Sequence, residues 1–128
     1  MLLLWTLPGV ALAQFTFVTN VNNTLTITGY TGSGGDVTIP DTINGLPVVS
    51  VGNVAFYGRN SLTSITIPNG VTIVMDSAFY HCSGLNNVTI PNTVTNIMRY
   101  AFADSTSLTN FSIPNSVTSI GEGAFYGV

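Results

Sequence analysis

From Leu62 onward the chain repeats one arrangement of apolar and polar positions. Leu62-x-x-Ile65-x-Ile67-Pro68-x-x-Val71-x-x-Val74-x-x-x-Ala78-Phe79 returns as Leu85-x-x-Val88-x-Ile90-Pro91-x-x-Val94-x-x-Ile97-x-x-x-Ala101-Phe102. It returns again as Leu108-x-x-Phe111-x-Ile113-Pro114-x-x-Val117-x-x-Ile120-x-x-x-Ala124-Phe125. Pro68, Pro91 and Pro114 stand 23 residues apart, as do Phe56, Phe79, Phe102 and Phe125. A fixed period of this length marks a solenoid, in which each repeat is one coil stacked on the next. The fold class expected is a β-rich repeat solenoid with two short parallel strands and one helical or 3₁₀ turn per repeat.

Each coil follows from local chemistry. Ile65-x-Ile67 alternates with period two, which reads as a short strand with both apolar side chains turned inward. Pro68 ends it, because proline has no N–H to give to a neighbouring strand. Val71-x-x-Val74 makes a second short extended segment. Asp76-Ser77-Ala78-Phe79-Tyr80 then closes the coil, and its length suits a single helical or 3₁₀ turn with Ala78 and Phe79 buried. Stacking predicts a phenylalanine column through Phe56, Phe79, Phe102 and Phe125, and a leucine column through Leu62, Leu85 and Leu108. It also predicts that Arg99 lies between Asp76 and Glu122, and that His81 meets Asp104, because these share repeat positions.

Ahead of the regular repeats, residues 36–60 form an atypical one. Val37-Thr38-Ile39-Pro40 matches Ile65-Thr66-Ile67-Pro68, and Val48, Val51, Ala55 and Phe56 match Val71, Val74, Ala78 and Phe79. Extra residues at 41–47 carry Asn44-Gly45, a strong turn dipeptide. Residues 14–30 alternate apolar and polar around Asn20-Val21-Asn22-Asn23, which predicts a hairpin of about 15–19 with 24–28. That hairpin is expected to cap the solenoid, since an uncapped stack exposes its first apolar layer. The domain division expected is therefore 14–35 for the cap and its Gly-rich connection, and 36–128 for the solenoid. Residues 1–13 form an apolar run ending Ala11-Leu12-Ala13, which reads as a secretory signal peptide. Val128 directly follows a turn, so further repeats are expected beyond it, with end-to-end self-association of the last coil as the other outcome.

Charge narrows the functional classes. The only basic side chains are Arg59 and Arg99, against five acids. No basic patch is available to neutralise phosphates, so nucleic acid is not an expected partner. Membrane insertion is not expected either. The single cysteine, Cys82, excludes an intramolecular disulfide and a cysteine-based metal site. His81 and Cys82 are adjacent in a tight turn, which sends their side chains apart, so no catalytic pair is read there. No cofactor site, metal site or catalytic residue is expected.

The repeat resembles the BspA-like class of leucine-rich repeats. Its pattern Leu-x-x-Ile-x-Ile-Pro-x-x-Val-x-x-Ile-Gly-x-x-Ala-Phe stands nearly complete at Leu108–Phe125. Met75 and Met98 depart from the glycine that Gly52 and Gly121 supply after the second segment. The resemblance implies a bacterial protein that is secreted or held at the cell surface. It also implies a non-enzymatic, adhesion-type module binding a protein or glycan on a host, a matrix or a neighbouring cell. The alternative is a structural spacer within a larger exported protein. The candidate ligand-contact residues are Ser64, Thr66, Asn87, Thr89, Asn110 and Ser112 on the outer face of the first strand, with the aromatics Tyr57 and Tyr80. Short polar side chains beside aromatics are common binding chemistry.

Overall fold

The computed structural model describes residues 14–128, so the proposed signal peptide at 1–13 lies outside the described residues. The chain opens with a hairpin of β1 (Phe15–Thr19) and β2 (Leu25–Tyr30), antiparallel and joined through Asn23 in the left-handed region. Strand β3 (Gly35–Thr38) follows, and then a second, tight hairpin of β4 (Thr42–Ile43) and β5 (Leu46–Val51). Asn44 and Gly45 both take positive φ in its two-residue turn, as Asn-Gly permits. The insertion at 41–47 is thus a hairpin rather than an open loop.

The first two regular coils each contribute a strand to two sheets, and the last coil contributes one strand and a single bridge at Asn110. Strands β6 (Leu62–Thr66) and β8 (Asn87–Thr89) extend β3 into a parallel three-stranded sheet. Strands β7 (Ile73–Val74), β9 (Asn96–Ile97) and β10 (Ser119–Ile120) extend β5 in a second sheet. The hairpin joins this second sheet through the parallel pairing of β2 with β5, which covers the edge that the first coil would otherwise expose. No helix among the described residues is long and apolar enough to cross a membrane.

The third stretch of each coil corrects the sequence reading. No helix or 3₁₀ turn is present among the described residues; residues 53–58, 76–81 and 99–104 are successive turns. The reason is visible in their hydrogen bonds. Alternate amides close local turns: Ala78 N–H donates to the Met75 carbonyl and Tyr80 N–H to the Ser77 carbonyl, at 3.2 and 3.1 Å. The amides between them point along the solenoid. Ser77, Phe79 and His81 N–H donate to the carbonyls of Arg99, Ala101 and Ala103 on the next coil, at 2.9, 2.7 and 2.9 Å. The same set recurs from Val54, Phe56 and Gly58 and from Tyr100, Phe102 and Asp104. A helix would consume all of these donors within one coil and leave the stack unladdered. The backbone achieves the alternation with left-handed residues at two repeat positions. Val54, Ser77, Tyr100 and Gly123 occupy the first, and Gly58, His81, Asp104 and Gly127 the second. A positive φ at the third residue of a turn is the type II signature, normally met by glycine.

Side chains at Phe56, Phe79 and Phe102 are fully buried and stack face to face, with ring centroids 4.9 and 5.1 Å apart and planes within 12°. Phe125 continues the column at 5.3 Å, and Phe111 stacks on it. At the other end Tyr30 and Phe15 lie against Phe56, so the hairpin closes the aromatic column as well as the sheet. The expected leucine column is buried throughout. At the last coil, Ile113 and Ile120 are 40% and 50% exposed, whereas their equivalents Ile67, Val74 and Ile97 are buried.

Candidate functional site

The predicted contact residues fall on two separate stretches of the coil. Ser64, Thr66, Asn87 and Thr89 lie in the three-stranded sheet, in register as Ser64 opposite Asn87 and Thr66 opposite Thr89. Asn110 continues the column by a single bridge to Asn87, and Ser112 lies beyond the ladder, outside any strand. Asn87, Thr89, Asn110 and Ser112 are exposed, while Ser64 and Thr66 are half-buried. Several hydroxyls on this sheet and along the rest of the coil are engaged within the solenoid. Thr63 and Ser64 donate to Asp36 Oδ1 at 2.9 and 3.1 Å, Thr93 to the Val71 carbonyl at 2.7 Å, and Ser116 to the Val94 carbonyl at 2.7 Å. These bonds fix the stacking of one coil on the next.

Tyr57 and Tyr80 sit elsewhere, on the outer side of the turn ladder. Each directly follows a buried phenylalanine, so the two residues point to opposite sides of the same backbone. Their rings stack at 5.5 Å with planes 21° apart. His81 packs beside both, with ring centroids 4.7 Å from Tyr80 and 6.3 Å from Tyr57. Tyr57 is exposed, and Tyr80 is half-buried between its aromatic neighbours. Desolvation there raises the Tyr80 phenol above the usual range, with the Asp104 carboxylate adding to the effect. His81 Nε2 stands 3.8 Å from Asp104 Oδ2, as the shared repeat position implied. Arg99 behaves differently from the sequence reading. It pairs with Asp76 at 3.2 Å, and Glu122 makes no ion pair among the described residues.

Cys82 points the other way from His81. Its thiol is buried and donates to the Phe56 carbonyl at 3.0 Å, just as Ser105 Oγ donates to the Phe79 carbonyl at 2.9 Å one coil later. Burial pushes the thiol up to about 11. A neutral buried thiol is not a nucleophile, and it is a structural hydrogen-bond donor here. Among the described residues no group of three or more His, Cys, Asp or Glu side chains is placed to hold a metal ion.

The tyrosine ridge continues beyond the residues found by sequence. Tyr126 occupies the same repeat position as Tyr57 and Tyr80, but Ala103 replaces the tyrosine of the intervening coil. An open groove of about 550 Å³ lies at that missing rung, lined by Tyr80, Tyr100, Ala103, Glu122, Gly123 and Tyr126. Tyr100 comes from a different repeat position and lies over Gly123, where a Cβ would meet its ring at 2.5 Å. The repeat alignment held the signal for Tyr126 and for the gap at Ala103. Nothing in it placed Tyr100.

The family model for the BspA type leucine rich repeat region matches residues 33–128, in six copies. Solved structures agree over most of the chain. A leucine rich repeat protein of T. pallidum is 31% identical at a TM-score of 0.79, covering 89% of this chain and 64% of that one. A leucine rich cell surface protein of Faecalibacterium prausnitzii is 37% identical at a TM-score of 0.82, and a leucine-rich repeat protein of Bacteroides ovatus is 32% identical at 0.81. Each is covered over 32% of its length by 89% of this chain, so the chain spans about a third of these two and under two-thirds of the first. No curated protein sequence matches the chain. The chain belongs to the BspA-type leucine-rich-repeat family.

Proposed function

We propose that this chain is a non-enzymatic interaction module of a bacterial surface or secreted protein, and that it engages a protein or glycan through the tyrosine ridge. The observation that carries the reading is the stacked pair Tyr57 and Tyr80 on the outer side of the coil, with exposed Tyr126 across an open groove. Tyrosine supplies large, rigid contact area with few torsions to freeze, and it is enriched where proteins bind. The hydroxyl columns of the three-stranded sheet are secondary contacts at most, because part of their hydrogen-bonding capacity is engaged in stacking the coils.

That engagement also favours a second reading, in which the module is a spacer and its polar columns serve only register. One experiment separates the two. The full chain, coupled to beads, is offered to an array of printed glycans and extracellular-matrix proteins, beside a Tyr57→Ala/Tyr80→Ala double variant. Ligand capture that falls to background in the variant supports the ridge. Capture that persists assigns binding to another face, and an array silent to both chains favours the spacer.

A further inference from the structure

The missing rung at Ala103 has the makings of a specific site. The coils that carry Tyr80 and Tyr126 stand two rungs apart, about 10 Å at the spacing of parallel β-structure. Within the ridge the intact rung holds two tyrosine rings 5.5 Å apart, whereas at Ala103 the chain leaves an open groove lined by Tyr80, Tyr100 and Tyr126. Ala103 lies buried at the base of the groove, and the Tyr100 ring lies over Gly123 beside it. Tyr100 forms a third aromatic wall, its centroid 6.3 Å from that of Tyr80 and its plane turned by 60°. The backbone of Tyr100 is held at φ 54, where the equivalent residue of the next coil is glycine.

Charge then selects the occupant. The lining carries one ionised group, the Glu122 carboxylate, and no basic side chain. Arg99, which shares the repeat position of Glu122, is engaged by Asp76 on the preceding coil. Three aromatic faces are negative at their centres, and a carboxylate beside them adds to that potential. An anion is disfavoured on both counts. A cation gains from both, provided it lies within about 6 Å of the ring centroids. A quaternary ammonium turns methyl groups to every side and touches several rings at once, whereas a guanidinium stacks on one face. We propose that Tyr80, Tyr100, Tyr126 and Glu122 form a binding site for a quaternary ammonium group of the choline type. The assignment rests on the ridge being an interaction surface and gives that surface a ligand class.

The test is a titration of the isotopically labelled full chain, followed by amide shifts, with three probes. These are choline chloride, phosphocholine and 3,3-dimethylbutan-1-ol, the neutral isostere of choline. The expected result is a saturable response to choline centred on Tyr100, Gly123 and Tyr126, with affinity for the neutral isostere lower by about tenfold or more. Tyr126→Ala abolishes the response, exposed Glu122→Gln weakens it about fivefold, and Val21→Ala in the exposed hairpin turn leaves it unchanged. Relative affinity for phosphocholine then tells a free cation from a headgroup, since the phosphate is either tolerated or repelled by Glu122. Equal binding of choline and the isostere, or no saturable shift into the tens of millimolar, overturns the assignment. So does loss on Val21→Ala equal to that on Tyr126→Ala. A chain that ignores choline but still loses its array ligand with Tyr57→Ala/Tyr80→Ala keeps the ridge and removes only the cation.

Discussion

Two aromatic stacks run side by side along this solenoid, one residue apart in sequence. Phe56, Phe79, Phe102 and Phe125 face inward; the next position holds Tyr57, Tyr80 and Tyr126 on the outer side, and Ala103, which is buried beneath its neighbours. Both follow from the same turn ladder, which sends successive side chains to opposite sides of the backbone. The inner stack is unbroken and nearly parallel, with planes within 12°. The outer one is interrupted at Ala103. An inner vacancy would leave a cavity in the core, which is costly. An outer vacancy costs little and leaves a groove. The difference shows which positions of a repeat are free to vary for function: those whose loss the stack does not register.

The comparison can be broken most directly by truncating neighbours. Phe79→Ala removes a fully buried ring from the middle of the inner column and should cost about 3–5 kcal/mol. Tyr80→Ala, one residue on, should cost about 1 kcal/mol or less, since its contacts are half in solvent. Urea denaturation of the two variants checks the contrast; comparable losses would mean that the outer stack also holds the fold together.

Cys82 sharpens the same boundary through pH. Its folded value of about 11 lies above the usual value of 9.0. The folded state therefore holds the proton more tightly, and the stabilisation is complete below pH 9. It is lost as pH rises from about 9 to 11, by roughly 2–3 kcal/mol. A Cys82→Ser variant, which mimics Ser105 at the next coil, should lack this alkaline loss in denaturation curves recorded across that range.

The smallest expected effect lies on the outside. Val54 is β-branched, holds φ 52 and is 55% exposed. Val54→Asn should relieve left-handed strain and raise stability by about 1 kcal/mol, because asparagine tolerates that region and little apolar burial is lost. A drop in melting temperature would show that the valine side chain contributes packing that outweighs its backbone cost.

Much of this architecture was legible in the sequence. The period fixed the strand register, the inner phenylalanine column, the leucine column and the meeting of His81 with Asp104. The hairpin signal at Asn20–Asn23 located the first antiparallel unit; Asn44-Gly45 marked a turn, and the short strands flanking it were read as loop. The turn after each second strand was misread because Asp76-Ser77-Ala78-Phe79-Tyr80 has the length and composition of a helical turn. What decides it is the destination of the Ser77, Phe79 and His81 amides, and that is a property of two coils rather than one. Gly58, Gly123 and Gly127 hinted at left-handed positions; Val54, Ser77 and Tyr100 concealed them. At the candidate site, Tyr57 and Tyr80 were visible as exposed-type aromatics. Ala103 looked like an unremarkable substitution until stacking turned it into a gap, and Tyr100 entered the groove from a position with no aromatic in the other repeats.

The division of roles expected is that the inner stack holds the fold while the outer stack recognises a ligand. It is tested most directly by measuring array capture by the full chain and by the Tyr57→Ala/Tyr80→Ala variant at matched folded fraction. The account predicts that the variant remains folded and captures nothing above background. Undiminished capture by the folded variant would contradict it.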